Sequence, residues 1–217
     1  EFALTDGISV KLTKRIPVAA GMAGGSTDAA AMLYAMNQLY DLGLSRRELM
    51  KRGVQIGADV PYCLMRGTAL AEGIGEKLTQ LPPMIKCPVL IAKPSISVST
   101  KFVYQNLKLD EQTNHPDIDA LMKDIREKDF DGVCAHMGNV LESVTIPNYP
   151  VIAEIKQQMM RSGAKASMMS GSGPTVFGLF TNPQAAQNAY EKLRYGDASK
   201  LAKQVYLTNF FHVKRSR

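Results

Sequence analysis

Tryptophan is absent from the sequence, and histidine and cysteine occur three times each. Cys63, Cys87 and Cys134 are odd in number, far apart and without a C-x-x-C spacing. That excludes a disulfide framework and makes a zinc site improbable. His115, His136 and His212 do not pair at metal-ligand spacing. Aromatic residues are 7% of the chain, too few to interleave with basic residues as base-stacking nucleic-acid surfaces require. No run of about 18 apolar residues occurs, so a spanning helix is excluded. No basic-then-apolar segment opens the chain, so nothing marks it for export. The expected setting is the reducing cytosol, with neither nucleic acid nor membrane as partner.

What is present is ordinary for a folded protein: 217 residues, 45% hydrophobic and 21% charged. At roughly 100–200 residues per domain this allows one large domain or two small ones. Lysine and arginine exceed the acids by 26 to 20. The excess is scattered over Lys14-Arg15, Arg46-Arg47, Lys51-Arg52 and a tail of Lys214, Arg215 and Arg217, which suits an anionic small molecule better than a polyanion.

Ile8, Val10 and Leu12 alternate with polar residues, predicting a half-buried strand over 8–13 that ends before Pro17. A helix follows with Ala29, Ala30, Leu33, Met36 and Tyr40 on one face, stopped at Gly43. Ser45-Arg46-Arg47-Glu48 has capping-box spacing and opens a second helix. The run Gly57-Ala58-Asp59-Val60-Pro61 breaks it, and strands are expected over 63–72, 73–81 and 89–92. Helices are expected over 100–106, 116–127, 130–143 and 150–162. Strands at 166–169 and 175–180, a helix at 183–193 and a strand at 204–210 then complete an α-β-β-α-β order, as in a ferredoxin-like half. The texture changes from strand-rich to helix-rich at 91–97, dividing the chain into 1–92 and 93–217.

Three segments could carry chemistry. Pro17-Val18-Ala19-Ala20-Gly21-Met22-Ala23-Gly24-Gly25-Ser26-Thr27-Asp28 lies between a strand and a helix and is built of small residues. Small side chains let an anion approach backbone N–H groups at a helix N-terminus, and Ser26, Thr27 and Asp28 offer hydroxyls and a cap. It is neither a Walker A loop nor G-x-G-x-x-G; the plainer reading is a tight turn into a helix. Asp59, between a glycine and a proline on a rigid corner, is placed as a general base would be, although aspartate also stabilises turns through its own backbone. Ser170-Gly171-Ser172-Gly173-Pro174-Thr175 is either a hairpin loop or a second nest of N–H groups, and spacing does not separate the two. Thr100 could be a helix cap and Tyr104 a packing residue, or Tyr104 could stack on a base.

In combination these segments say more. G-M-A-G-G-S-T-D-A-A-A, G-A-D-V-P, A-K-P-x-x-x-V-S-T-K-x-V-Y, G-N-V-L-E-S-V and M-S-G-S-G-P-T-V-F-G follow in this order. The set resembles the GHMP kinases, and within them the branch that phosphorylates 4-diphosphocytidyl-2-C-methyl-D-erythritol on the non-mevalonate route to isoprenoids. The resemblance runs from about Ile8 to near Phe210.

It implies an α+β GHMP-kinase fold: an incomplete ribosomal-S5-like α/β part over 1–92 and a ferredoxin-like α+β domain over 93–217. It implies ATP and Mg²⁺, with 17–27 as the phosphate loop, Gly21, Gly24, Gly25 and Ser26 nearest the phosphates and Ser26 as a magnesium ligand. It implies Asp59 as base against the 2-hydroxyl of the acceptor, Lys14 near the adenine, and Thr100 and Tyr104 at the cytidine end. Gly171, Ser172 and Gly173 close on the phosphate side. The family's first motif, an A-K-I-N-L-like strand with its lysine, and a G-Y-H-like segment do not occur, so the chain is expected to be inactive alone, as part of a longer kinase. Another GHMP small-molecule kinase, a catalytically dead nucleotide-binding module and a basic RNA-binding half stay as rivals. The oligomeric state is left open, a homodimer among the options.

Overall fold

The computed structural model describes residues 2, 4–17, 19–110, 113 and 115–211. Val18 of the phosphate loop, His212 and the basic tail with Lys214, Arg215 and Arg217 lie outside the described residues. Contacts divide the chain into two compact units. One holds the N-terminal residues as far as the one preceding Ala19, together with Ala23–Gln80. The other holds Ala19–Met22 and the chain from Leu81 onward. The strand expected at 89–92, assigned by sequence to the first domain, pairs inside the second unit.

In the first unit, α1 (Gly24–Leu39), α2 (Arg46–Ile56) and α3 (Val60–Met65) pack together over Ala30, Leu49, Val60 and Leu64. The capping box at α2 forms as expected: Glu48 N–H donates to Ser45 Oγ at 3.3 Å and Ser45 N–H to Glu48 Oε2 at 2.8 Å. The corner at 57–61 does end α2, but Pro61 stands in the first turn of α3, where proline costs no hydrogen bond. Cys63, expected to open a strand, is therefore helical. The strands of that region are shorter, β1 (Ala69–Glu72) and β2 (Lys77–Gln80), an antiparallel hairpin.

The strand expected over 8–13 does not form. Ile8, Val10 and Leu12 are 41%, 57% and 59% exposed, and the segment pairs with no strand among the described residues. Alternation specifies a strand only when a neighbour completes the ladder and covers the apolar face.

The second unit is built on a four-stranded antiparallel sheet: β3 (Pro88–Lys93), β4 (Ala166–Met169), β5 (Val176–Leu179) and β6 (Gln204–Asn209), in the order β4-β5-β3-β6. With α8 (Val151–Arg161) and α9 (Pro183–Arg194) the chain order is β-α-β-β-α-β, a split βαβ arrangement. The expected ferredoxin-like half is present. Between β3 and α8 lie α4 (Thr100–Asn106), α5 (Ile118–Glu127), α6 (Phe130–His136) and α7 (Glu142–Asn148).

Strand alternation buries both faces of the sheet. Leu90, Ala92, Val176 and Val205 pack with Ile152, Ile155 and Met159 of α8 and Ala186, Ala189 and Leu193 of α9. Val89 and Leu179 face the other way, onto Ile125 of α5 and Val133 of α6. Each fully buried leucine or isoleucine contributes about 1.5–3 kcal/mol, so these two layers dominate the stability of the unit.

The single helix expected over 130–143 is two helices. α6 stops at His136 and α7 starts at Glu142, because the Asn139 side chain accepts from Leu141 N–H at 3.0 Å and leaves the helical path.

At the end of α6, His136 Nδ1 lies 2.6 Å from Asp124 Oδ2. Its pKa is held above the usual histidine value, chiefly by that hydrogen bond and further by the charges of Asp124 and Asp117 and by Gly132. A raised native pKa means the charged pair contributes fully below the unfolded value near 6.5 and is lost as pH rises through the native value. Thermal melts are expected to show stability falling as pH is raised from about 6 through that window. His136→Asn should flatten the slope; an unchanged slope would remove the pair from the explanation.

Candidate functional site

α1 enters its first turn without a side-chain cap. Its N-cap is Ala23, in the left-handed region at φ 48°, ψ 31°, which makes no side-chain cap bond. Ser26, Thr27 and Asp28 were expected to supply the cap, but they stand inside the helix. Thr27 Oγ1 donates instead to Ala23 O at 2.9 Å, and Asp28 is ion-paired with Lys14. The N–H groups of the first turn are ones that no intrahelical carbonyl can reach. Ala19, Gly21 and Ala23 have φ of 50°, 66° and 48°. Left-handed residues alternating with ordinary ones form the backbone pattern of anion-binding nests.

The Asp59 corner belongs to the same unit as that helix turn. A Cβ on Gly57 would stand 4.0 Å from Ser26 Oγ. Asp59 is exposed, lies in the turn that precedes α3 and is its N-cap residue, yet its carboxylate does not cap that helix. Thr27 Oγ1 and Cys63 Sγ are 3.5 Å apart. Burial pushes the Cys63 thiol above its usual range; the Thr27 hydroxyl opposes this and the neighbouring Asp59 charge adds to it. Ser26, Thr27, Cys63 and Asp59 thus form one neighbourhood. A cavity of about 530 Å³ opens against α1, lined by Thr27, Ala30, Tyr34, Arg46, Cys63 and Arg66 among others.

In the second unit, Ala19–Met22 lies against the loop that links β4 to β5. Ser170 Oγ donates to Gly21 O at 2.7 Å. A Cβ on Gly21 would come within 2.1 Å of Ser170 O and 3.1 Å of its carbonyl carbon. Thr100 Oγ1 and Ser172 Oγ are 2.8 Å apart, joining the start of α4 to the same loop. The cap of α4 is Ser99, which accepts from Phe102 N–H at 3.3 Å, so Thr100 is released from that duty. Tyr104, one turn on, is 61% exposed and packs into no core. Gly171 and Gly173 have φ of 56° and 87°.

Of the residues singled out by sequence, the first unit brings together Ser26, Thr27 and Asp59 and pairs Lys14 with Asp28, and the second brings together Gly21, Thr100, Gly171, Ser172 and Gly173. Sequence reasoning placed Ser170 in its third candidate segment but gave no role to Asn139. The signal for Asn139 was the N-x-x-E inside G-N-V-L-E-S-V, to which no role was given. Magnesium takes oxygen ligands and keeps several waters, and the Ser26 hydroxyl and Asp59 carboxylate suit that chemistry. Among the described residues no group of three or more His, Cys, Asp or Glu could hold a metal by itself.

Comparison with known proteins gives the family. The GHMP kinases N terminal domain matches residues 1–67 and the GHMP kinases C terminal region matches 121–197. The chain is 58% identical over 211 residues to the 4-diphosphocytidyl-2-C-methyl-D-erythritol kinase of Lachnospira eligens, covering 97% of this chain and 72% of that protein. To the same-named kinase of Lachnoclostridium phytofermentans it is 54% identical over 213 residues, covering 98% and 72%. A crystal structure of 4-(cytidine 5'-diphospho)-2C-methyl-D-erythritol kinase superposes with a TM-score of 0.76 at 29% identity, over 92% of this chain and 69% of that one. A homoserine kinase from Cytophaga hutchinsonii has the same TM-score at 22% identity and shares the fold, over 91% and 68%. The chain belongs to the GHMP kinases, ATP-dependent small-molecule kinases, in the family of the 4-diphosphocytidyl-2-C-methyl-D-erythritol kinases.

Proposed function

We propose that this protein transfers the γ-phosphoryl group of ATP to the 2-hydroxyl of 4-diphosphocytidyl-2-C-methyl-D-erythritol, in the cytosol, on the non-mevalonate route to isoprenoid precursors. The observation that carries the reading is the uncapped first turn of α1 behind a loop of small, left-handed residues. Phosphoryl transfer depends on positioning and on neutralising charge rather than on covalent chemistry. The loop 17–27 supplies main-chain donors to the β- and γ-phosphates, with Gly21, Gly24, Gly25 and Ser26 closest. Lys14 stands near the adenine. Ser26 would hold Mg²⁺, which when bound neutralises phosphate charge. Asp59 takes the proton from the 2-hydroxyl as its oxygen bonds to the γ-phosphorus and the bond to the β–γ bridging oxygen breaks. Thr100 and Tyr104 face the cytidine end, Tyr104 offering a ring to stack on the base. Gly171, Ser172 and Gly173 close on the phosphates. Free Cys63, Cys87 and Cys134 fit a reducing compartment.

The test is a coupled ADP assay of the full natural polypeptide with ATP and Mg²⁺ against the cytidyl acceptor, homoserine and mevalonate. ADP is expected with the cytidyl acceptor alone. Comparable kcat/KM on homoserine or mevalonate would overturn the substrate assignment, and ATP binding without turnover on any acceptor would leave a nucleotide-binding module.

A further inference from the structure

Asn139 stands in the irregular stretch between α6 and α7, outside every segment given a role above. Its Nδ2 donates to Met169 O at 2.9 Å and to Gly171 O at 2.8 Å. Three residues on, Glu142 Oε1 accepts from Met169 N–H at 2.8 Å, and the other carboxylate oxygen is ion-paired with Lys156 of α8. Met169 ends β4, an edge strand of the sheet. Its outward N–H and C=O, which water or another strand would otherwise take, are both held by side chains from one short segment.

Two further carbonyls of the 170–175 loop are held as well. Ser170 O accepts from Gly173 N–H at 3.0 Å, and Ser172 O accepts from Thr145 Oγ1 at 3.3 Å. In a trans peptide the C=O and the following N–H point in opposite directions. Fixing Gly171 O on Asn139 therefore turns Ser172 N–H away from Asn139, and fixing Ser170 O turns Gly171 N–H away in the same manner. Ser170 also donates to Gly21 O at 2.7 Å, so a loop anchored this way holds the glycine end of 19–22.

We infer that Asn139, backed by the Glu142–Lys156 pair, is a positioning residue that aims the Gly171 and Ser172 amides at a phosphate of the bound nucleotide. The inference rests on the phosphate-side reading of this loop given above. Asn139 touches no reacting atom. Its amide NH₂ sets the peptide orientation, and its oxygen serves only as the local cap for Leu141.

The two functions of the side chain are separable by Asn139→Asp, which keeps the acceptor for Leu141 N–H and replaces the double donor with a carboxylate facing two carbonyl oxygens. In the full natural polypeptide this variant is expected to unfold cooperatively and to raise the KM for ATP about 10- to 100-fold, more than any rise for the acceptor. Asn139→Ala should match it. If Asn139→Asp lowers the melting temperature but keeps wild-type KM and kcat, the two donated bonds serve stability alone and the inference is wrong. If the wild-type protein fails to bind ATP in an equilibrium titration, the reading of the loop itself fails, which needs no variant to see. Should Asn139→Asp not fold, Glu142→Gln carries the comparison, because it keeps the acceptor for Met169 and removes only the charge facing Lys156. A several-fold rise in the KM for ATP is expected there, and an unchanged value overturns the inference.

Discussion

Asp59→Asn is expected to lower kcat by about 10²–10⁴-fold, the range seen when a general base is lost. The amide keeps the size and exposure of the side chain and removes its basicity. Because the carboxylate does not cap α3, the substitution should leave the melting temperature close to that of the wild type. KM for both substrates should change little, since the interaction belongs to the transition state rather than to binding. Steady-state kinetics on the full natural polypeptide checks this, and a kcat within a few-fold of wild type would take the proton-accepting role away from Asp59.

Gly21→Ala should produce an effect of similar size through geometry instead of proton transfer. The added methyl would lie 2.1 Å from a backbone oxygen of Ser170, far inside contact distance, at a position whose φ of 66° already disfavours any side chain. Backbone atoms cannot rotate out of the way as a side-chain end can, so the 19–22 segment and the 170–173 loop must separate. A displacement of about 1 Å in a phosphate-positioning loop costs on the order of 10²-fold. The loss should appear as weakened ATP binding by calorimetry, accompanied by a lower melting temperature. Unchanged ATP affinity in a folded Gly21→Ala protein would detach this loop from the nucleotide.

The parts of the fold that sequence foretold are those decided by neighbours along the chain. The capping box at Ser45 and Glu48 needs four consecutive residues and nothing else. The β-α-β-β-α-β half has strong local signals: Ile152, Ile155 and Met159 recur at helical spacing, and Val176 and Leu179 occupy a short apolar strand bounded by turn residues. The strand at 8–13 failed for the opposite reason. Its alternation was real, but a ladder needs a partner that no residue of the segment specifies. The break at 137–141 was missed because Asn139 leaves the helix to bind backbone 30 residues further on, a tertiary preference that overrides local propensity.

The candidate site divides in the same way. Glycine spacing and the Asp59 corner are local patterns and could be read directly. The cap was misplaced because Ser26, Thr27 and Asp28 look like capping residues, whereas the helix starts two residues earlier, at Gly24. Ala23, the N-cap residue, takes a left-handed conformation that favours glycine over residues with a side chain. Which carbonyl Ser170 or Asn139 holds depends on loops far apart in sequence, and no spacing rule reaches that.

The uncovered segment at 8–12 has a colloidal consequence. Apolar side chains at every second position, on a stretch of backbone that pairs with nothing among the described residues, form a template on which a neighbouring chain could add a strand. Lys11, standing between Val10 and Leu12, acts as a gatekeeper: stacking copies in register would bring like ammonium groups together. Concentrated solutions of this polypeptide should therefore stay clear longest at low ionic strength and cloud as added salt screens that repulsion.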